Sequence, residues 1–344
     1  MSTRVSPTDA RFTEAGLDAG MYESWYLRLV SPDQGLALWI RYTIDKSPGQ
    51  EATGTTWFTL FDDGAERPVA RRRDGQPADA SSGDWVRIGD STLGPSGARG
   101  SCFEAAWDLR FTPLAPILFH LPRPRFYELR LPKTKPISPI PLGVFSGRFS
   151  FGDREILVDD WHGMVGHNWG TEHAERWIWL HGCDFEEDPD AWIDVAMGRI
   201  RVAGQLLPWV ANGAICSGGE IRRIGGVFAQ GVDVSESALR LEAGLPVAGK
   251  GYLDLEIESP PNLTVCWQYG DPADPEGECH EVANCSAARM VARLTMPGSH
   301  GKSSLTTSRG AAYELGMTET DHGIPIAGGL PPEQSAPQPD QPST

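Results

Sequence analysis

Positive charge is scarce in this chain. Against 46 Asp+Glu stand 30 Lys+Arg in 344 residues, a formal net charge of −16, whereas a grip on nucleic acid needs clustered cations that release counterions. The one tight basic run, Arg71 to Arg73, lies in a stretch rich in Gly, Pro and Asp, so no nucleic-acid partner is expected. Long apolar runs are also missing. Residues 114–121 are interrupted by proline and fall well short of the roughly 20 apolar residues of a spanning helix, so no membrane span is expected. The six cysteines (Cys102, Cys183, Cys216, Cys266, Cys279 and Cys285) are scattered and show no disulfide-framework spacing. The N-terminal MSTRVSPTDARFTEAG has no secretory pattern of basic then apolar residues. Both observations point to reduced thiols and a cytoplasmic location. Around Cys279, His280 and Cys285 no second C-x-x-C or H-x-x-H pair completes a zinc set, and neither a metal nor another cofactor is expected. There is no G-x-S-x-G elbow, dinucleotide or P-loop fingerprint, or internal repeat. Gly218-Gly219 and Gly225-Gly226 flank 220–224 as turn chemistry.

Glycine and proline are plentiful, 39 and 28, which signals many turns without reaching the ~25–30% of low-complexity chains. Between the turns apolar residues alternate with period two. In 36–43 (LALWIRYT), Leu36, Leu38, Ile40 and Tyr42 share one face, and Ala37, Trp39, Arg41 and Thr43 the other; this is strand patterning. Similar runs occur at 55–61, 103–111, 145–151, 155–158, 192–202, 251–258 and 263–269, while 287–294 fits helix or strand. The expected fold is all-β, two antiparallel β-barrels in tandem with few short helices. Residues 15–160 form the first barrel, 161–318 the second, and 319–344, rich in Pro, Gly, Gln and Ser, a disordered tail. Within the first barrel, 113–141 carries eight prolines and reads as an extended crossover rather than a central strand. On composition, 62–83 reads as a loop.

Twelve tryptophans equal the phenylalanines in number, and four of them share the window 161–181 with four of the eight histidines. Read as a strand from Arg176, the window places Trp177, Trp179, His181 and Cys183 on one face and Ile178 and Leu180 on the other. Such a face either packs a core or lines a ligand site, since indole is large, apolar and carries one N–H donor. Four imidazoles beside carboxylates are harder to read as filler, because each buried imidazole needs a partner.

The segment His167-Asn168-Trp169-Gly170, preceded by Gly163 and followed by a charged turn and an aromatic strand, resembles the lipocalin-like superfamily of carotenoid 1,2-hydratase, tocopherol cyclase and the fungal lipocalin-type Diels-Alderases. An early strand with Glu23, Ser24, Trp25 and Tyr26 extends the likeness. In those relatives an acidic residue commonly precedes the His; here Gly166 stands there, which speaks against carotenoid hydration. The resemblance implies two lipocalin-like barrels holding a hydrophobic terpenoid- or polyketide-type molecule at or between them. It also implies hydration, cyclisation or cycloaddition without a redox cofactor.

Such chemistry needs an apolar lining and a proton donor kept protonated by desolvation. The lining candidates are Trp161, Trp169, Trp177, Trp179 and Trp25, with Asn168, His181 and Glu23 as polar contacts. The catalytic candidates are His167, Asp160, Glu172 and Asp184. Other readings of the same residues remain open. Asp159 and Asp160 also suit an exposed turn, Glu172 and Glu175 a solvated pair with Arg176, and His167 with Trp169 a structural junction. A non-catalytic lipid or pigment carrier would have a pocket without buried carboxylates. A metal-dependent hydrolase would gather His162, His167, His173 and His181.

Overall fold

In the computed structural model, residues 8–327 are described, apart from 17, 19, 81–82, 203, 227–228, 271–278 and 299–302. The alternating runs become strands. The first sheet comprises β1 (Met21–Ser31), β2 (Leu36–Lys46), β3 (Thr53–Asp62), β4 (Val69–Gln76), β5 (Ala78–Asp79), β6 (Val86–Ile88), β7 (Ser91–Gly94), β8 (Gly97–Cys102), β9 (Ala105–Pro113), β10 (Leu118–Phe119), β11 (Thr134–Phe151) and β12 (Arg154–Gly170). Its order is β4-β3-β2-β1-β12-β11-β9-β8-β7-β6-β5, with β10 on β11, and it curls into a nearly closed barrel.

The second half contributes β13 (Arg176–Gly182), β14 (Trp192–Arg199), β15 (Arg201–Val202), β16 (Gln205–Leu206), β17 (Val210–Ser217), β18 (Glu220–Gly225), β19 (Asp233–Ser237), β20 (Arg240–Val247), β21 (Gly251–Glu258), β22 (Val265–Tyr269), β23 (His280–Thr295) and β24 (Ser303–Met317). Here the order is β18-β17-β14-β13-β24-β23-β21-β20-β19. β22 lies on β23, and the β18–β20 pairing of Ile224 with Val247 closes the ring. Closure removes free strand edges. Among the described residues the helical turns are four short 3-10 segments.

The tandem-barrel expectation therefore holds, and the strand 176–182 lies where the alternation placed it. The HNWG segment ends β12, the last strand of the first sheet. Three local expectations are corrected. Residues 134–141 belong to β11, in the middle of the first sheet, although Pro136, Pro139 and Pro141 lie in it. The reason is two irregularities, between Ile137 and Ile140 and between Ile140 and Gly143; each inserts one extra residue, and a bulge is where a sheet tolerates proline. The 62–83 loop contains β4, whose basic run is held by aromatic rings. Arg71 lies over Phe151 at 5.1 Å, Arg72 over Trp57 at 4.3 Å and Arg73 over Phe103 at 5.3 Å. Residues 220–224 are strand β18 rather than turn. The ambiguous 287–294 is strand, within β23. Beyond β24, Ile326 bridges to Cys266 and the Ala327 amide donates to the Cys266 carbonyl at 2.7 Å. The rest of the expected tail, 328–344, lies outside the described residues.

Every residue of β1 is buried because its two faces meet different cores. Trp25, Leu27 and Leu29 pack inside the first barrel, while Val30, with Ala37 and Trp39 of β2, joins the core of the second. Between the barrels runs a seam. Trp57 meets Trp267 edge-on at 5.0 Å, and Trp39 stacks near Trp267 at 6.4 Å. Such pairs add about 0.5–1.5 kcal/mol beyond their buried area.

Candidate functional site

On β13, Ile178 and Leu180 point into the second barrel's core, so Trp177, Trp179 and His181 point outward, onto β1 and β2. Cross-strand register brings Ser24, Tyr26 and Arg28 of β1 beside Thr43, Arg41 and Trp39 of β2 on the face that receives them. Two glycines make room. A Cβ at Gly166 would lie 2.2 Å from the Tyr26 ring, and one at Gly316 would lie 2.2 Å from the Trp177 ring. Position 166 is therefore covered by a phenol.

Tyr26 meets Trp179 edge-on at 5.0 Å. Burial, then the carboxylates of Asp194 and Glu314, push its phenol well above the ordinary value, so it keeps its proton. Asp194, on β14 opposite His181, accepts a 3.2 Å hydrogen bond from Trp179 Nε1 and another from the Ser138 hydroxyl. His120 Nδ1 donates to the Asn212 carbonyl at 3.1 Å. With the single Ser138 proton committed to Asp194, its Oγ accepts from His120 Nε2 at 3.1 Å. Burial raises the Asp194 pKa, but the His120 charge and these hydrogen bonds outweigh it and hold the carboxyl below the ordinary range. The group joins the crossover segment, β11 and β14, tying one barrel to the other.

Glu314 on β24 accepts from Trp177 Nε1 at 3.2 Å and from Asn284 Nδ2 at 3.1 Å. Trp177 stacks on His173 at 5.3 Å and Tyr269 at 6.3 Å, and lies 5.0 Å from His280. Trp177, His173 and His280 are only partly buried, so the seam opens to solvent at this end. Burial and the nearby Arg41 charge pull the His173 pKa down to about 3, which leaves a neutral ring. At the closed end, fully buried Arg28 donates to the Ser286 carbonyl at 2.9 Å, to the Gly310 carbonyl at 3.0 Å and to His181 Nδ1 at 2.8 Å. His181 Nε2 donates to the Pro141 carbonyl at 2.8 Å. Burial, then Arg28, lower the His181 pKa to about 4.

The sequence candidates thus fall into separate places. Glu23, Trp25, His167 and Trp169 gather at one end of the first barrel. His167 lies parallel to Trp25 at 4.4 Å, is 4.9 Å from Trp169, and its Nε2 donates to Glu23 at 2.8 Å. Glu23 also accepts the backbone amides of Arg11 and Phe12 at 2.8 Å, so this carboxylate clamps the N-terminal segment. Trp161 packs edge-on against Phe149 at 5.9 Å in the same barrel. Asn168 faces the seam opposite Ser24. Asp160 is exposed, at a positive φ of 51° where β12 carries one extra residue. Exposed Glu172 pairs with Lys133, and Asp184 binds His162. Glu175 pairs with Arg201, and Arg176 with Glu236 and Glu319.

Four polar side chains of the seam lie outside the sequence candidates: Tyr26, Arg41, Asp194 and Glu314. Three carry a readable signal, one charge in an otherwise buried strand: LWIRY, WIDVA and AYELG. Such charges are rare in cores unless they are paired.

Among the described residues, one set of potential metal ligands gathers. Cys266, Glu281 and His322 place their ligand atoms within 4.8 Å of one another. His322 Nδ1 accepts the Ile324 amide at 3.1 Å, which leaves Nε2–H to donate to Glu281 at 2.6 Å. The set reads as a hydrogen-bonded clasp for residues 322–324. His162, His167, His173 and His181 have separate surroundings, and Cys279 is exposed while Cys285 is buried.

No protein-family profile matches the chain. An uncharacterized protein of Mycobacterium tuberculosis, present in strains CDC 1551 and H37Rv, is 31% identical over 166 residues, 47% of this chain and 49% of that protein. The chain thus spans about half the length of the curated relatives it matches. Among solved structures, kievitone hydratase from Nectria haematococca is similar over 86% of this chain and 89% of its own, with a TM-score of 0.51 at 9% identity. An AttH-like protein from Nitrosomonas europaea is 13% identical with a TM-score of 0.49, over 92% of this chain and 98% of its own. The lipocalin-like tandem-barrel fold is shared with the hydratase.

Proposed function

We propose that the protein binds a hydrophobic small molecule of terpenoid or polyketide type in the aromatic seam between its barrels. There it catalyses hydration or cyclisation without a redox cofactor. The observation that carries this reading is the Tyr26 phenol, laid over Gly166 against Trp179 and close to the buried carboxylates Asp194 and Glu314. A phenol with so high a pKa holds its proton, so Tyr26 serves as a hydrogen-bond donor to a substrate oxygen and polarises the conjugated system attached to it. Trp177 and Trp179 hold the apolar chain folded and exclude water from it. Asp194 and Glu314 each accept two hydrogen bonds, and Glu314, nearer the open end, is the group to take a proton from an attacking water and return it to the carbon next to the polarised carbonyl. A hydratase among the proteins of this fold supports the reading. The carrier alternative calls for a site without buried carboxylates and fits this seam poorly.

The test is incubation with the organic-soluble fraction of a cell extract, followed by mass spectrometry of retained and released molecules. Hydration adds the mass of one water; cyclisation changes retention at constant mass. Tyr26→Phe and Glu314→Gln are expected to retain the molecule and lower its conversion about 10²–10³-fold. Release of unchanged molecules by the unmodified protein would instead establish a carrier.

A further inference from the structure

Arg41 is buried, 6% exposed, in the middle of β2. Its Nε donates to Ser24 Oγ at 2.7 Å, and its guanidinium lies over the Tyr269 ring at 4.3 Å. Among the described residues no carboxylate forms an ion pair with it, and its fork lies within hydrogen-bonding reach of the Tyr269 hydroxyl. Glu314 and Asp45 balance its charge from further away, but distant charge does not satisfy N–H donors. A buried guanidinium without a paired anion is costly unless one arrives. The Tyr269 hydroxyl is buried beside that fork, and Asn284 Oδ1 across the seam is buried without a hydrogen-bond partner. Cross-strand register sets Arg41 directly beside Tyr26, and its guanidinium lies over Tyr269, so one cation and two phenols mark this point of the seam.

We infer that this point binds a planar anion of the substrate, a carboxylate or an enolised 1,3-dicarbonyl, with two oxygens on the Arg41 fork and the Tyr269 hydroxyl donating to one of them. The inference rests on the seam being the ligand site and adds the substrate's chemical class: an apolar chain or ring system that ends in an acidic two-oxygen head. The guanidinium fork matches that geometry and an ammonium does not. Asn284 Oδ1 remains to accept a hydroxyl or amide N–H of the same head.

The test titrates the full chain at pH 7 with 2-naphthoic acid, its methyl ester, and a 2-acyl-1,3-cyclohexanedione with its O-methyl enol ether, following tryptophan fluorescence. The unmodified protein is expected to bind each acid at least about 10-fold more tightly than its neutral ether or ester. The preference should be lost in Arg41→Met and reduced in Arg41→Lys, with ester affinity unchanged, which also reports that the variants fold. A tighter fit of the dione than of the naphthoate names the enolate as the head, and the reverse names the carboxylate. Equal binding of acid and ester, or a preference that survives Arg41→Met, overturns the inference and leaves the seam as ligand site. Absence of any fluorescence change with all four probes overturns both.

Discussion

Strand β1 serves two aromatic and histidine clusters, one on each face. Inside the first barrel, Glu23 and His167 are joined to each other, and the carboxylate is filled by two backbone amides of the N-terminal segment. On the seam, one residue further along the pleat, Tyr26 and its neighbour Arg41 face Trp179 and Tyr269 with donors in hand. Both clusters are buried, aromatic and polar. They differ in how the charge is met: three donors fill the Glu23 carboxylate, which ties down the N-terminal segment, whereas Arg41 has the Ser24 hydroxyl and the Tyr269 ring but, among the described residues, no carboxylate.

Four substitutions probe this contrast, beginning with the most severe. Gly166→Asp places an acid directly before His167, and its Cβ would enter the Tyr26 ring. Overpacking plus a buried unpaired carboxylate should cost about 4 kcal/mol or more, seen as a lower midpoint in urea. Combining it with Tyr26→Ala should recover a large part of that loss. A Gly166→Asp protein as stable as the original would show that the phenol does not occupy this space.

His181 gives the next largest effect. Its pKa in the folded chain is about 4, below the ordinary 6.5, so the unfolded state takes up the proton first as pH falls. The stability it contributes is complete above about pH 6.5 and is lost as pH falls toward 4, on the order of 3 kcal/mol. In His181→Gln, which can still donate and accept, thermal melts across this window should lose that component of the pH slope. An unchanged slope would place the acid sensitivity elsewhere.

The smallest effect belongs to the clamp. Glu23→Gln should cost about 1.5–3 kcal/mol, expressed as faster proteolysis within residues 8–15 while acid-probe binding at the seam persists. His167→Ala should behave alike. If His167→Ala instead abolished turnover with the N-terminal segment still protected, the HNWG histidine would belong to the chemistry and the contrast between the clusters would fail.

The alternation of 36–43 and 176–182 was readable in the sequence, as was the gathering of tryptophan and histidine near 161–181. What could not be read was the direction of each face. LALWIRYT shows apolar residues on both faces, which fits a strand between two cores, yet nothing local says which face meets the second barrel. The prolines of 134–141 concealed a central strand because the bulges that accommodate them depend on β12. The basic run Arg71–Arg73 concealed an edge strand because its partners, Phe151, Trp57 and Phe103, are distant in sequence. Arg41, Asp194 and Glu314 were visible as isolated charges in apolar strands, but their convergence was not.

The sequence by itself determined the strands, the all-β class and the aromatic wealth of one window, because period two and turn residues act over a few neighbours. Only the tertiary structure decided that Trp177 and Trp179 face outward, that Tyr26 covers Gly166 and that Arg41 meets no carboxylate among the described residues. Those facts follow from strand pairings more than a hundred residues apart and from the docking of one barrel on the other, where the cost of an unsatisfied buried donor first becomes defined.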